Sequence, residues 1–307
     1  MSSWITSFEG TPAAETLAFV LVLLSAASHA VFGIIFKGGI DTYINRGAIN
    51  VCYSLIVLPF ALFVLPWPSH EMWIVLSWSF LAHMIYELLQ ARAYSMGAFT
   101  LVYPVARGTG PIATALLAFV AFSEHLTLLQ WLALFALSGA IFSLAFVNLR
   151  DMRADAAASR GMTAALIAAV ATGAMSAVFM NIDALGTRMG EDPLTFVAWF
   201  FVLGMFSTPI FALARWRYRA RNGLPLPTLK ALAIRGFLGA VVALTTFGAM
   251  MVATRLAKLG EIVALRETSI AFAAILGVLF FGERLNGARI VLIALIAASA
   301  MAVQLAG

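Results

Sequence analysis

Apolar residues run through this chain in ten long segments that short polar breaks separate. Each segment is about 20 residues long, the length that an α-helix needs to cross a hydrocarbon core of about 30 Å. Because unpaired backbone groups are costly in lipid, such segments must be helical. The predicted spans 1 to 10 cover residues 17–37, 47–66, 72–92, 98–122, 126–147, 162–184, 193–214, 234–254, 259–281 and 286–305.

The fourth predicted span is interrupted by charge and by helix-breaking residues. Its stretch VYPVARGTGP, residues 102–111, contains Arg107 among two prolines and two glycines, and the span holds no other charge. An arginine inside the bilayer costs about 2.5–3.5 kcal/mol on insertion scales, so a partner must compensate it. Tyr103 and Arg107 share one helix face, which we therefore expect to face protein or a wet cavity.

The third predicted span offers a partner for this arginine. His83, Glu87 and Gln90 follow the spacing of three and four residues that places side chains on one helix face. Spans 3 and 4 form an antiparallel hairpin, and Glu87 and Arg107 each lie ten residues from its turn near Gly97. Their matched depth predicts an ion pair. The pattern leaves open whether this pair is purely structural or also contacts substrate and exchanges protons.

The composition sets the class of protein. Hydrophobic residues make up 63% of the chain and charged residues 11%, against about 25% charged in soluble domains. We therefore predict an all-α membrane protein with ten transmembrane helices. The single cysteine, Cys52, excludes a disulfide within the chain, and no cofactor is expected. The net charge of +5 comes from residues beside the helices and does not indicate nucleic-acid binding.

Lysine and arginine are divided unequally between the two sides. The odd-numbered loops and adjacent helix ends hold 14 of them, and the even-numbered side holds 3. Loops that are rich in lysine and arginine lie on the cytoplasmic side of a membrane. We therefore expect a multi-pass protein of the cytoplasmic (inner) membrane with both termini outside the cytoplasm.

The two halves of the chain repeat. At a shift of 159 positions, FVAFSEHL at 119–126 aligns with VLFFGERL at 278–285, which places Glu124 on Glu283 and Arg107 on Arg266. Each half then has five spans, and an odd number gives the halves opposite orientations. The predicted fold is two inverted five-helix repeats, residues 1–149 and 150–307, as in many secondary transporters.

The repeat brings a second arginine into the predicted site. Arg266 is adjacent to Glu267, which either is neutralised by Arg266 alone or pairs across helices. Two guanidiniums near the membrane middle favour an anionic ligand, because they match carboxylate or phosphate. The candidate substrate-binding residues are Arg107, Arg266, Glu87, Tyr103, His83, Gln90 and Glu267. Weaker candidates, for which hydrogen bonds between helices are the commoner role, are His29, Asn50, Asn181 and Asp183.

The repeated turn, SEHL at 123–126 and GERL at 282–285, precedes an apolar helix rich in small residues in each half. These two segments resemble the EamA-type repeats of the drug/metabolite transporter superfamily. The resemblance covers nearly the whole chain and implies ten helices, a substrate cavity between the halves and alternating access. Members carry amino acids, nucleotide-sugars, sugar phosphates, drugs and other metabolites, so the resemblance names no substrate.

The leading interpretation is a secondary transporter of a small anionic or zwitterionic organic metabolite. Arg107 and Arg266 would bind the anion, and Glu87, with His83, would be a proton-sensitive counter-ion. The alternative is an exporter of cationic or drug-like compounds with Glu87 as binding and proton site. No HExxH motif is present, so an enzyme is not expected. The expected partners are a small-molecule substrate, membrane lipid and a coupling proton, with the choice between monomer and homodimer open.

Overall fold

The chain folds into α-helices. The computed structural model describes residues 3–36, 41–96, 99–152, 162–190, 192–281 and 286–306. All regular structure in these ranges is helical, and ten helical segments there are long and apolar enough to cross a membrane. The prediction of an all-α membrane protein with ten spans is confirmed. Glu283 lies outside the described residues.

Three of the ten spans are divided into two helices. A short helix, α1 (Ser3–Ser7), precedes the first span. Spans 1 to 6 are single helices: α2 (Pro12–Phe36), α3 (Thr42–Phe63), α4 (His70–Met96), α5 (Phe99–Phe122), α6 (Leu128–Met152) and α7 (Met162–Arg188). Spans 7 to 10 are α8 (Pro193–Leu203) with α9 (Thr208–Arg221), α10 (Leu229–Ala243) with α11 (Ala249–Leu256), α12 (Leu259–Arg266) with α13 (Ser269–Phe281), and α14 (Gly287–Leu305).

The chain forms two compact units. The first unit contains Met1–Phe80 and Leu185–Leu256, and the second contains Leu81–Ala184 and Ala257–Gly307. Each unit therefore draws on both predicted repeats, and the repeat boundary near residue 150 stays a prediction.

In the first unit, polar side chains compensate the interruptions of spans 7 and 8. The hydroxyl of Ser54 donates to the carbonyl oxygen of Phe201 at 2.7 Å, just before the break between α8 and α9. Ser25 donates to the carbonyl oxygen of Thr246 at 2.6 Å, inside a π-helical turn that separates α10 from α11. Irregular backbone at membrane depth requires such partners.

In the second unit, α5, α6, α12 and α14 pack around small and branched apolar residues such as Ala264, Leu137 and Ile296. The first residues of α6 and α14, Leu128 and Gly287, are 159 positions apart, the shift of the sequence repeat. Glu124 accepts a hydrogen bond from the backbone N–H of Leu259 at 2.7 Å and so caps the start of α12.

Candidate functional site

The ninth span breaks at a group of buried polar residues. Arg266, Glu267, Thr268 and Ser269 are exposed by 4%, 3%, 6% and 2%. The helix tightens here, because the N–H of Glu267 donates to Ala264 and the N–H of Thr268 donates to Leu265, three residues back in each case. This short 3₁₀-like turn separates α12 from α13 at the position where the charges lie.

The break suits the two charges that it contains. Arg266 lies in the last turn of α12, where the partial negative charge of a helix C-terminus stabilises a cation. Glu267 lies two residues before the start of α13, whose N-terminus carries partial positive charge and stabilises an anion. A continuous helix would offer neither helix end at this depth.

Arg107 of α5 reaches this break from another helix. Its Nε lies 3.1 Å from Oε2 of Glu267, and its Nη2 donates to the hydroxyl of Ser269 at 2.9 Å. The guanidinium carbon is 5.8 Å from the ring centroid of Tyr103, within the range of a cation–π contact. The arginine predicted from span 4 and the acid predicted from span 9 are therefore brought together.

Two guanidiniums, those of Arg107 and Arg266, lie close to the carboxylate of Glu267. The Glu267 carboxylate attracts both guanidiniums, which repel each other, and Arg266 also interacts with Tyr86 and Tyr103. Among the described residues, Oε2 of Glu267 accepts no well-aligned hydrogen bond, although Arg107 lies within ion-pair distance. Arg107 is the more accessible member of this ion pair, because 16% of its side chain is exposed and only 4% of the Glu267 side chain is.

A glycine lets α7 approach α5 beside the arginine. A Cβ atom on Gly173 would lie 2.5 Å from the carbonyl oxygen of Ala106 and 2.7 Å from Cβ of Thr109. Only a residue without a side chain fits this contact, which holds α5 against α7 one residue from Arg107.

The third span contributes a polar face with its own partners. Gln90 donates from Nε2 to the hydroxyl of Tyr86 at 2.7 Å, and the Tyr86 ring packs edge-on to Phe179 at 5.0 Å. Nε2 of His83 lies 2.9 Å from Oδ2 of Asp183, which is buried on α7. The His83 ring also packs on Phe179, with 4.0 Å between ring centroids.

The predicted site residues divide into two groups. Arg107, Arg266, Glu267 and Tyr103 gather at the break in span 9, whereas His83 and Gln90 contact Asp183 and Tyr86 respectively. Glu87 is half-buried on α4. Its pairing with Arg107 stays a prediction.

From the sequence, Asp183 is only a weaker candidate for the site, and Ser269 is not a candidate. An acid in an apolar span was the available signal for Asp183, but nothing in the sequence assigned His83 as its partner. Asn181 donates to the carbonyl oxygens of Ala177 at 2.9 Å and Thr114 at 3.3 Å, the interhelical role expected of such residues. No cluster of three metal-ligating side chains occurs among the described residues.

Fold and site together define a multi-pass helical membrane protein with charges held at a broken helix inside a span, an arrangement typical of transporters. Residues 159–304 match the model of the EamA-like transporter family. The match covers a little under half of the chain, and the family to which this part is similar implies a membrane transporter of the drug/metabolite type. The resemblance noted in the repeated turn is confirmed.

Solved structures give a consistent comparison. One crystal structure matches with a TM-score of 0.70 at 15% sequence identity, covering 96% of this chain and 99% of the other. At this identity the likeness concerns the fold alone. No curated protein matches the chain.

Proposed function

We propose that the protein is a secondary transporter of a small anionic or zwitterionic organic metabolite, with Arg107 and Arg266 as the anion-binding residues. One observation carries the proposal: Arg107, which forms an ion pair with Glu267, and the buried Arg266 lie together at a break inside a membrane span. Both guanidiniums would attract a substrate carboxylate or phosphate, whose negative charge would reduce the repulsion between them.

The surroundings favour a small ligand with its charge at one end. Ser269 provides a hydroxyl at the start of α13, and the aromatic ring of Tyr103 lies beside the guanidinium of Arg107. The N-terminus of α13 adds partial positive charge, as half-helices do for anionic substrate groups in other transporters. Glu87 and His83 are proposed as further polar groups of the binding region.

Transport would proceed by alternating access, in which one five-helix repeat rocks against the other around a fixed site. The excess of Lys and Arg in the odd-numbered loops supports a cytoplasmic (inner) membrane location with both termini outside the cytoplasm. A proton is the proposed coupling ion, since the sequence contains no Walker motif for direct use of ATP.

A thermal-shift screen of the purified protein tests the substrate class. The probes are succinate, glutamate and inorganic phosphate, with tetraphenylphosphonium for the alternative of a cation exporter. Stabilisation of about 2.7 kcal/mol is expected at a hundredfold excess over Kd. Stabilisation by at least one anion, abolished in Arg107→Gln and kept in the surface variant Arg217→Gln, is the expected result. Stabilisation by the cation alone would contradict the proposal.

A further inference from the structure

His83 and Asp183 form a second polar contact, separate from the ion pair of Arg107 with Glu267. His83 lies thirteen residues from each end of α4, about 20 Å along the helix from either end at 1.5 Å per residue. Its Nε2 is 2.9 Å from Oδ2 of Asp183, and the two side chains are exposed by 21% and 8%. The pair therefore lies at the middle of α4 and away from both ends of this helix.

The pair of His83 and Asp183 has two protonation states, which differ by one proton. With a neutral imidazole, the pair carries the carboxylate charge of −1, which is costly inside a membrane. One added proton gives imidazolium beside carboxylate, and the pair becomes neutral overall. Histidine is the side chain that exchanges a proton most readily near neutral pH. The buried carboxylate supplies the reason to bind that proton at this position.

Helix α7 connects the pair to the Arg107 side of the proposed substrate site. The rings of His83 and Tyr86 both pack on Phe179, at 4.0 and 5.0 Å between centroids. Phe179 and Asp183 lie on α7, the helix whose Gly173 packs against Ala106, next to Arg107. The titratable groups nearest His83 on its own helix are Tyr86 and Glu87, and the charged groups of the helices that pack with α7 and α5 in this unit are Arg107, Arg266 and Glu267.

We propose that His83 and Asp183 bind the proton that drives transport, and that this proton travels together with the anion. The inference rests on the proposed function. An anion at Arg107 and Arg266 adds negative charge near the pair, which strengthens proton binding, and by linkage a bound proton strengthens anion binding by the same factor. The doubly loaded state is favoured, so the coupling is symport.

The proton balance is simple. A hydronium ion on one side gives its proton to the neutral histidine beside the Asp183 carboxylate and becomes water. After the conformational change, the imidazolium returns the proton to water on the other side, and the anion leaves with it. One O–H bond of hydronium breaks as the N–H bond of His83 forms, and the reverse exchange on the other side restores the O–H bond, so no other bond changes.

Proteoliposomes loaded with the pH dye pyranine test the coupling. Succinate, glutamate or phosphate, whichever stabilises the protein, is added outside without a pH gradient. The wild type is expected to acidify the lumen by one proton for each anion taken up, and the loop variant His125→Gln gives the same ratio. In Asp183→Asn the ratio falls to near zero, while anion exchange across the membrane continues. Uptake without acidification in the wild type, or an unchanged ratio in Asp183→Asn, overturns the proposal and leaves the anion site intact.

A second measurement needs no substrate and separates the two proposals. The infrared difference spectrum of the purified protein between pH 5 and pH 8 should contain imidazole and carboxylate bands that disappear in both His83→Gln and Asp183→Asn. The His125→Gln spectrum should keep them. If no anion probe stabilises the protein, the proposed function fails, and this spectrum decides the proton site alone. Variant spectra indistinguishable from that of His125→Gln overturn it.

Discussion

Glu267 is the anion on which two buried cations depend. Its carboxylate contacts Arg107 at 3.1 Å and lies next to Arg266 in the chain. We expect Glu267→Gln to lower the stability by about 3–5 kcal/mol, because breaking a buried pair leaves its charges uncompensated. Thermal unfolding in detergent, read from the loss of helical circular dichroism, measures the change.

The double variant Arg107→Gln/Glu267→Gln sharpens this prediction. Removing Arg107 together with the acid removes one of the repelling cations, so the double variant should be more stable than Glu267→Gln alone. Glu15→Gln, at an exposed position of α2, serves as the control and should change stability little. A double variant less stable than Glu267→Gln would contradict the repulsion between Arg107 and Arg266 at this break.

Asp41, outside the membrane spans, gives a pH-dependent contact. Its Oδ2 lies 2.8 Å from Nε of Arg215 and 3.2 Å from Nη1 of Arg219. Burial alone would raise the pKa of the Asp41 carboxyl, but the hydrogen bond and charge of Arg215 lower this pKa below its ordinary value of 3.8. The stability that this contact provides is therefore present above pH 3.8 and is lost as the pH falls through the lower, folded-state pKa.

Asp41→Asn should accordingly cost stability at pH 7 and less at pH 3. The effect is expected to stay near or below about 1 kcal/mol, since solvent screens pairs at the surface. Unfolding temperatures at the two pH values measure it, with the exposed Arg217→Gln variant as control for loss of surface charge. An equal cost at both pH values would show that the contact does not depend on the ionised carboxylate.

At the scale of helices, close packing beside Arg107 depends on one glycine. Gly173→Ala would place a Cβ atom 2.5 Å from the backbone oxygen of Ala106, and backbone cannot move aside cheaply. A loss of about 1–3 kcal/mol is expected, with weaker binding of the anion probe, because α5 carries Arg107. Gly139→Ala in α6 is the matched control, since nothing lies within 4 Å of its added Cβ. Equal effects of the two changes would exclude the close contact.

The number of spans could be predicted from the sequence, but the breaks within them could not. Hydropathy over about 20 residues depends on local composition, and the ten spans followed directly from it. The turn at residues 244–248 contains no proline, and its carbonyl at Thr246 is bound by Ser25, which is 221 positions away. Conversely, Pro104 and Pro111 do not end α5. Tertiary partners, which single-sequence reasoning does not contain, decide both outcomes.

The sequence predicts which charged residues form the site better than it predicts which of them pair. Arg107, Arg266 and Glu267 stood out as charges within apolar spans. The hairpin of spans 3 and 4 gave a depth match between Glu87 and Arg107, but the ion pair of Arg107 with Glu267 joins helices from the two predicted repeats. Such pairing depends on how ten helices are arranged, and helix spacing within one span does not encode it.

At the scale of the whole molecule, orientation in the membrane follows from loop charge. A reporter enzyme that is active only in the cytoplasm, fused after Gly307, should be inactive, and a periplasmic reporter at the same place should be active. Fusions of both reporters in the loop between α4 and α5 should give the opposite pattern. A C-terminal fusion active in the cytoplasm would overturn the predicted orientation.

Anion transport through the two arginines is tested most directly by uptake into proteoliposomes. Radiolabelled succinate, glutamate and phosphate are compared in the wild type, Arg107→Gln, Arg266→Gln and Arg217→Gln. Uptake of the anion that stabilises the protein should fall by about 10- to 100-fold in each buried-arginine variant, the loss expected for a charged hydrogen bond, and should persist in Arg217→Gln. Full uptake in both Arg107→Gln and Arg266→Gln would contradict their assignment as the anion site.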